Sequence, residues 1–163
     1  MFALIASIMV QATFASTSTI SFVAETNMPG VSVEGVVSEI STQYDAQKLS
    51  SSRLEFDVFA MKTGMDKRDQ HLREKVFSAK KPGDVKISFQ AKKRECSEEQ
   101  CKLIGDLTIK GITKEVHLPL ESKNDKNFSG VAQVSLSEFS LPRPSFMGVQ
   151  VEDLVKVKFS FQE

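Results

Sequence analysis

Thr63-Gly-Met-Asp-Lys-Arg-Asp-Gln-His-Leu-Arg-Glu-Lys-Val-Phe77 is the one stretch of this chain that reads as a helix rather than as a strand. Asp66 is placed to cap a short helix and Asp69 falls in its positive first turn, while Leu72, Val76 and Phe77 recur at helical spacing as an apolar stripe. The opposite face carries Lys67, Arg68, Gln70, Arg73, Glu74 and Lys75. Such a helix lies with one side on an apolar support, and the sequence on either side says that the support is made of β-strands.

Upstream, Ile20, Phe22 and Ala24 alternate with polar neighbours until Asn27-Met-Pro-Gly30 turns the chain. Val31, Val33, Gly35 and Val37 share a face, after which the phase changes and Ile40 falls on the other, as at a bulge or bend. Leu54, Phe56, Val58 and Ala60 oppose Arg53, Glu55 and Asp57, with Phe59 and Met61 out of phase. Downstream, Lys80-Lys-Pro-Gly83 stops the helix. Val85, Ile87, Phe89 and Ala91 then alternate with Lys86, Ser88, Gln90 and Lys92. Leu103, Gly105, Leu107 and Ile109 follow, and a two-residue hairpin turn at Gly111-Ile112 leads to Val116, Leu118 and Leu120. Pro119 marks an exposed or bulged position in that strand. Phe128, Gly130, Ala132, Val134 and Leu136 alternate next. Phe139 to Val149 is irregular yet apolar, which suits a segment folded across an opening or packed on the barrel, and Val155, Val157, Phe159 and Phe161 form a last strand.

One-face alternation with short connections predicts antiparallel pairing. The expected fold is all-β: about eight antiparallel strands closed into a barrel, with one short helix inserted between strands 3 and 4. A barrel of that size is either just filled by its side chains or holds one slender ligand. Strands of about ten residues run roughly 33 Å, long enough to take an extended hydrocarbon chain end-on.

With 163 residues and 21 basic against 21 acidic side chains, the chain reads as one domain without the basic field that nucleic-acid binding needs. Twelve Phe, one Tyr and no Trp supply large side chains with almost no polar atoms to satisfy, as a dry interior requires. Met1 to Ala15 is uncharged, mostly apolar and ends in small residues, the pattern of a signal peptide cut after Ala15; residues 16–163 are then the folded domain, periplasmic or secreted. No Lys or Arg precedes the apolar run. Cys96 and Cys101 enclose four residues between two strands; in an exported protein they read as a disulfide across a hairpin, contributing roughly 2 kcal/mol by loop closure, and in a cytosolic one as free thiols.

Three ordered motifs resemble one family. They are Thr63-Gly-Met with Arg68-Asp69-Gln-His71-Leu72-Arg-Glu-Lys and Phe77; Gly105-Asp-Leu-Thr-Ile-Lys-Gly-Ile-Thr-Lys-Glu-Val-His-Leu-Pro-Leu120; and Phe146-Met-Gly-Val-Gln-Val-Glu-Asp-Leu-Val-Lys-Val157. In order and spacing they are similar to the YceI-like family of polyisoprenoid-binding, lipocalin-like periplasmic proteins, over Ile20 to Phe161. The resemblance implies an eight-stranded lipocalin-like barrel, export to the bacterial periplasm and an isoprenoid lipid held inside, with no other cofactor. The chain departs from the family pattern at Pro144-Ser-Phe-Met-Gly148, where many members have Arg-Ser-Asp-Phe-Gly, and in its cysteine hairpin.

The expected function is sequestration or carriage of an apolar, polyisoprenoid lipid. Its expected binding residues are Phe22, Val33, Phe56, Val58, Leu72, Phe77, Phe89, Leu107, Leu118, Val134, Phe146, Val157 and Phe159. The competing readings are a structural or interaction barrel without lipid, with room for a homodimer, and a hydrolase. The charged cluster is thin for catalysis: Asp69 and His71 do not share a helical face, and His71 with Glu74 does so without a nucleophile or further metal ligands. Arg68, Asp69 and His71 are instead expected to anchor the helix to the barrel end, and His117 to point outward from its strand. No metal site, nucleic-acid partner or more than peripheral membrane contact is expected.

Overall fold

In the computed structural model the described residues are 17–45, 47–121, 124 and 126–163, so the leader-like segment lies outside them. Eleven strands form two sheets. The first sheet contains β1 (Thr17–Thr26), β2 (Ser32–Val37), β5 (Met61–Lys62), β9 (Asn127–Ser135), β10 (Ser145–Phe146) and β11 (Val149–Gln162). β1 pairs with β2 on one side and β11 on the other, while β9 and β10 pair with β11. The second sheet runs β3 (Ser41–Gln43), β4 (Arg53–Asp57), β6 (Lys86–Cys96), β7 (Cys101–Ile109) and β8 (Ile112–Leu120). Every pairing is antiparallel, as one-sided alternation requires.

The eight-stranded closed barrel is therefore corrected to two facing sheets, with no ladder joining them all the way round among the described residues. At one seam Ser18 Oγ and Thr42 Oγ1 meet at 2.8 Å. At the other, β8 lies beside β9, and Glu121 N–H donates to Ser129 O at 2.8 Å. Pro119 stands in β8 at this seam without an N–H to offer, and its carbonyl presses against Gly130.

The strand count rises from eight to eleven because two long alternating runs are broken and the irregular segment after Phe139 contributes the short β10. Val31 to Ser41 divides into β2 and β3. Ser50 to Met61 divides into β4, a 3-10 turn at Val58–Ala60 and β5, because Asp57 accepts the Phe59 N–H at 2.8 Å and caps that turn. This is why Phe59 and Met61 fall out of phase. The helix consequently follows the fifth strand, not the third. The β7–β8 hairpin turns at Lys110 and Gly111, one residue earlier than expected, and their φ values of 48° and 77° suit the two left-handed positions of a tight hairpin.

Helix α1 (Asp66–His71) passes directly into a wider π-helical turn at Leu72–Val76. Asp66 is the first helical residue rather than the cap; Met65 occupies the cap position without a side-chain bond. Asp69 faces back into the protein and accepts both the Thr63 N–H (2.8 Å) and the Thr63 hydroxyl (2.6 Å). Val76 and Phe77 are buried in one cluster with Val58, Ala60, Ala79, Phe139 and Leu141; Val58, Ala60, Ala79 and Phe139 make its solid core, while Val76, Phe77 and Leu141 border the space between the sheets. On the outer side the Arg73 guanidinium stacks 4.8 Å from the centre of the Phe59 ring.

Candidate functional site: an apolar cavity between the sheets

Inward residues of both sheets enclose a cavity of about 900 Å³. Its wall follows strand parity: Phe22, Val33, Phe56, Phe89, Leu107, Leu118, Val134, Val157 and Phe159 all line it. Leu72 and Phe77 contribute from the helical insert and Phe146 from β10. Val58 does not line it. Fully buried at 0% exposure, Val58 belongs to the 3-10 turn that breaks β4, and packs into the solid core.

Three glycines explain why so many aromatic rings leave a space. Phe22 is paired with Gly35 and Phe159 with Gly130, while Phe89 lies diagonally next to Gly105, which pairs with Ala91. A Cβ at any of the three glycines would collide with the neighbouring Phe ring. The rings thus fold flat over glycine on the adjacent strand instead of meeting in the middle, and the wall is thick where the centre is open.

At the end where β1 starts and β11 finishes, Tyr44, Phe128 and Phe161 form a ring cluster, with Tyr44 and Phe161 centred 4.4 Å apart and Phe128 and Phe161 5.1 Å apart. All three line the cavity, as does Leu49 beside them. Phe128 and Phe161 were legible as inward residues by alternation; Tyr44 and Leu49 lie in an irregular stretch with no periodic signal. The opposite end is bounded by Met65, Lys67, Arg68 and His71, by Thr26, Val31 and Ser32, and by Pro144 to Met147. Phe146 is 73% and Met147 88% exposed there. The irregular segment after Phe139 packs on the sheets beside this end: Phe139 and Leu141 are buried, and β10 returns as a hairpin onto β11.

The three expected anchors separate. Asp69 is the anchor, at 5% exposure with both Thr63 bonds. Arg68 donates from Nη2 to Met65 Sδ at 2.8 Å, within its own segment, and both Arg68 and His71 border the cavity. Glu74 is held by Gln70 Nε2 at 2.9 Å and is not on the cavity wall. Outside, His117 Nε2 lies 3.5 Å from Glu115 on an exposed strand face. Cys96 and Cys101 face each other across the β6–β7 hairpin and are joined as a disulfide.

Among the described residues no Asp or Glu lines the cavity, and of its cationic residues Arg53 is paired with Glu55 at 2.7 Å. Among the described residues no cluster of three potential metal-ligating His, Cys, Asp or Glu side chains occurs. The wall is predominantly apolar and can desolvate an apolar chain, and its polar side chains gather towards the two ends: Ser18, Thr42, Gln43 and Tyr44 at one, Thr63, Lys67, Arg68 and His71 at the other.

Two antiparallel sheets around an apolar cavity, with one helical segment at an end, define a lipocalin-like architecture. The sequence matches the YceI-like domain over residues 12–162, and the chain belongs to that family. BcnA of Burkholderia cenocepacia has a similar fold, with a TM-score of 0.68 and 23% identity over 88% of this chain and 94% of that one. A YceI protein of Campylobacter jejuni superposes with a TM-score of 0.59 at 22% identity, covering 78% and 82% of the two chains. A polyisoprenoid-binding domain from Saccharophagus degradans, implicated in plant cell wall breakdown, gives 0.59 at 12% identity over 88% and 91%. None of the curated proteins matches the chain in sequence.

Proposed function

We propose that this protein is an exported carrier that sequesters an apolar lipid of the polyisoprenoid class, its chain lying between the sheets, and that it is not an enzyme. The observation that carries the reading is the cavity of about 900 Å³ whose wall is built from inward Phe, Leu and Val and, among the described residues, contains no carboxylate. Its volume falls in the range of roughly 300–1,000 Å³ typical of small-molecule sites. Each buried CH₂ contributes about 0.8 kcal/mol, so about ten of them suffice for micromolar binding without a specific polar contact. The flexible, branched outline of a prenyl chain suits a wall of rings and β-branched residues. The name of the S. degradans relative supports the isoprenoid class, the leader-like Met1 to Ala15 and the Cys96–Cys101 bond support export.

Native mass spectrometry and solvent extraction of gently purified protein, followed by titration of the emptied protein with geranylgeraniol, test this. A saturable one-to-one complex is expected. Failure to bind geranylgeraniol or any longer prenyl chain by an emptied, folded protein defeats the carrier reading, and hydrolytic turnover lost on His71→Ala would replace it.

A further inference from the structure

The open end of the cavity is ringed by large apolar side chains that are turned to solvent. Met65 precedes α1, Phe146 and Met147 form the β10–β11 hairpin, and Met28 sits on the β1–β2 turn. They come from three separate segments and converge at one end because β1 and β11 run side by side to that point. Asn27 fixes two of the segments together: its Nδ2 donates to Gly148 O at 3.2 Å, and its Oδ1 accepts the Gln150 N–H at 2.8 Å. The antiparallel pairing of β5 with β2 carries the third, through Thr63 to Met65, towards the same end.

We infer that this rim is a docking surface for an anionic lipid bilayer, with Met28, Met65, Phe146 and Met147 entering the headgroup layer and Lys67 and Arg68 meeting lipid phosphates. Charge selects the occupant. Lys67 and Arg68 border the mouth and form no ion pair among the described residues, whereas no carboxylate lines the cavity. Of the acids near this end, Asp69 is bonded to Thr63, Glu25 lies 3.6 Å from Lys156, Glu152 lies 3.3 Å from Arg143, and Asp66 is exposed but off the cavity wall. Apolar tips backed by cations are the composition of an interfacial membrane contact. A protein partner would leave the two cations unmatched unless it brought its own acids.

The inference rests on the carrier reading, because it gives the rim a purpose. A prenyl chain crossing open water would expose all its hydrocarbon. A mouth seated in the headgroup layer gives it a continuous apolar path from the bilayer to the cavity.

Sedimentation of the full chain with phosphatidylcholine vesicles, with and without phosphatidylglycerol, tests the surface. Binding is expected on the phosphatidylglycerol vesicles, roughly an order of magnitude stronger than on phosphatidylcholine alone and weakened by salt. The K67Q/R68Q pair should lower it by about ten-fold. M28S should weaken it on either vesicle; Met28 sits in an exposed turn outside the cavity wall, so neither folding nor cargo binding depends on it. Geranylgeraniol binding in vesicle-free solution, measured on the same preparations, separates the two readings. Protein that binds geranylgeraniol but never sediments with vesicles, or whose sedimentation ignores both sets of substitutions, overturns docking and leaves the carrier standing. Sedimentation that responds to both sets, without any geranylgeraniol binding, upholds the surface and removes the carrier.

Discussion

Phe159 on β11 and Gly130 on β9 stand directly opposite each other, and a Cβ added to Gly130 would lie 2.6 Å from Phe159 Cζ. The ring occupies the place of the missing side chain, and the cavity owes part of its width to that substitution of ring for Cβ. Gly130→Ala must displace both the ring and the Pro119 carbonyl, and is expected to destabilise the fold by about 1–3 kcal/mol. Gly35→Ala beside Phe22 should do the same. In both variants the geranylgeraniol affinity, measured at a temperature where the protein is folded, is expected to fall as the rings move inward.

Solid core and cavity wall should respond differently to truncation. Phe139, 1% exposed, is buried in one cluster with Val76 and Phe77 of the helical insert and with Val58, off the cavity wall, and Phe139→Ala is expected to cost about 3–5 kcal/mol in denaturant unfolding. Leu107 already borders empty space, so Leu107→Ala leaves few contacts to lose and should cost about 1–2 kcal/mol. Equal losses at the two positions would mean that the space between the sheets is closed in solution.

Asp69 ties the helical insert to the end of β5 through Thr63. Asp69→Ala leaves the Thr63 N–H and hydroxyl without their acceptor and is expected to cost about 1–3 kcal/mol. Hydrogen exchange should show faster opening across residues 63–77 than elsewhere. The Thr63→Val variant, which keeps the backbone donor, should lose less.

Acid should weaken the fold through carboxylates held below their usual range. Asp153 is lowered first by the Ser135 hydroxyl and then by the Ser137 backbone N–H, at 2.6 and 2.8 Å, which pin the turn that leads from β9 into the irregular segment. Glu55 is lowered chiefly by its hydrogen bond from Lys86, whose own ammonium is raised by the same contact. A depressed carboxylate stabilises above its unfolded pKa, and that contribution disappears as pH falls through the lower folded value. The raised Lys86 contributes below the unfolded lysine pKa and is lost as pH rises through its folded one. The melting temperature is therefore expected to be level across neutral pH and to drop below about pH 4 and above about pH 10. Asp153→Asn should melt lower than the parent at pH 7, with the gap closing in strong acid.

Side-chain parity was written in the sequence, because which face a strand residue takes depends only on its neighbours two positions away. Hence Phe22, Phe89, Leu107, Val134, Val157 and Phe159 could be placed on one interior surface before any pairing was known, and the insert at Thr63 to Phe77 stood out by its different period. Val58 was misplaced because a side-chain cap, from Asp57 to the Phe59 N–H, overrode the alternation with a turn. The open seam at β8 and β9 was equally hidden: Pro119 signalled an irregular position but not the strand it would fail to join. Whether the inward rings would fill the interior or frame it depended on which residue faced each ring across the sheet. Those pairings join Phe22 to Gly35 and Phe159 to Gly130, a matter of register between separate strands. Local periodicity fixes direction without fixing distance, so the sequence by itself determined what the interior is made of, and only the tertiary structure decided that it is hollow.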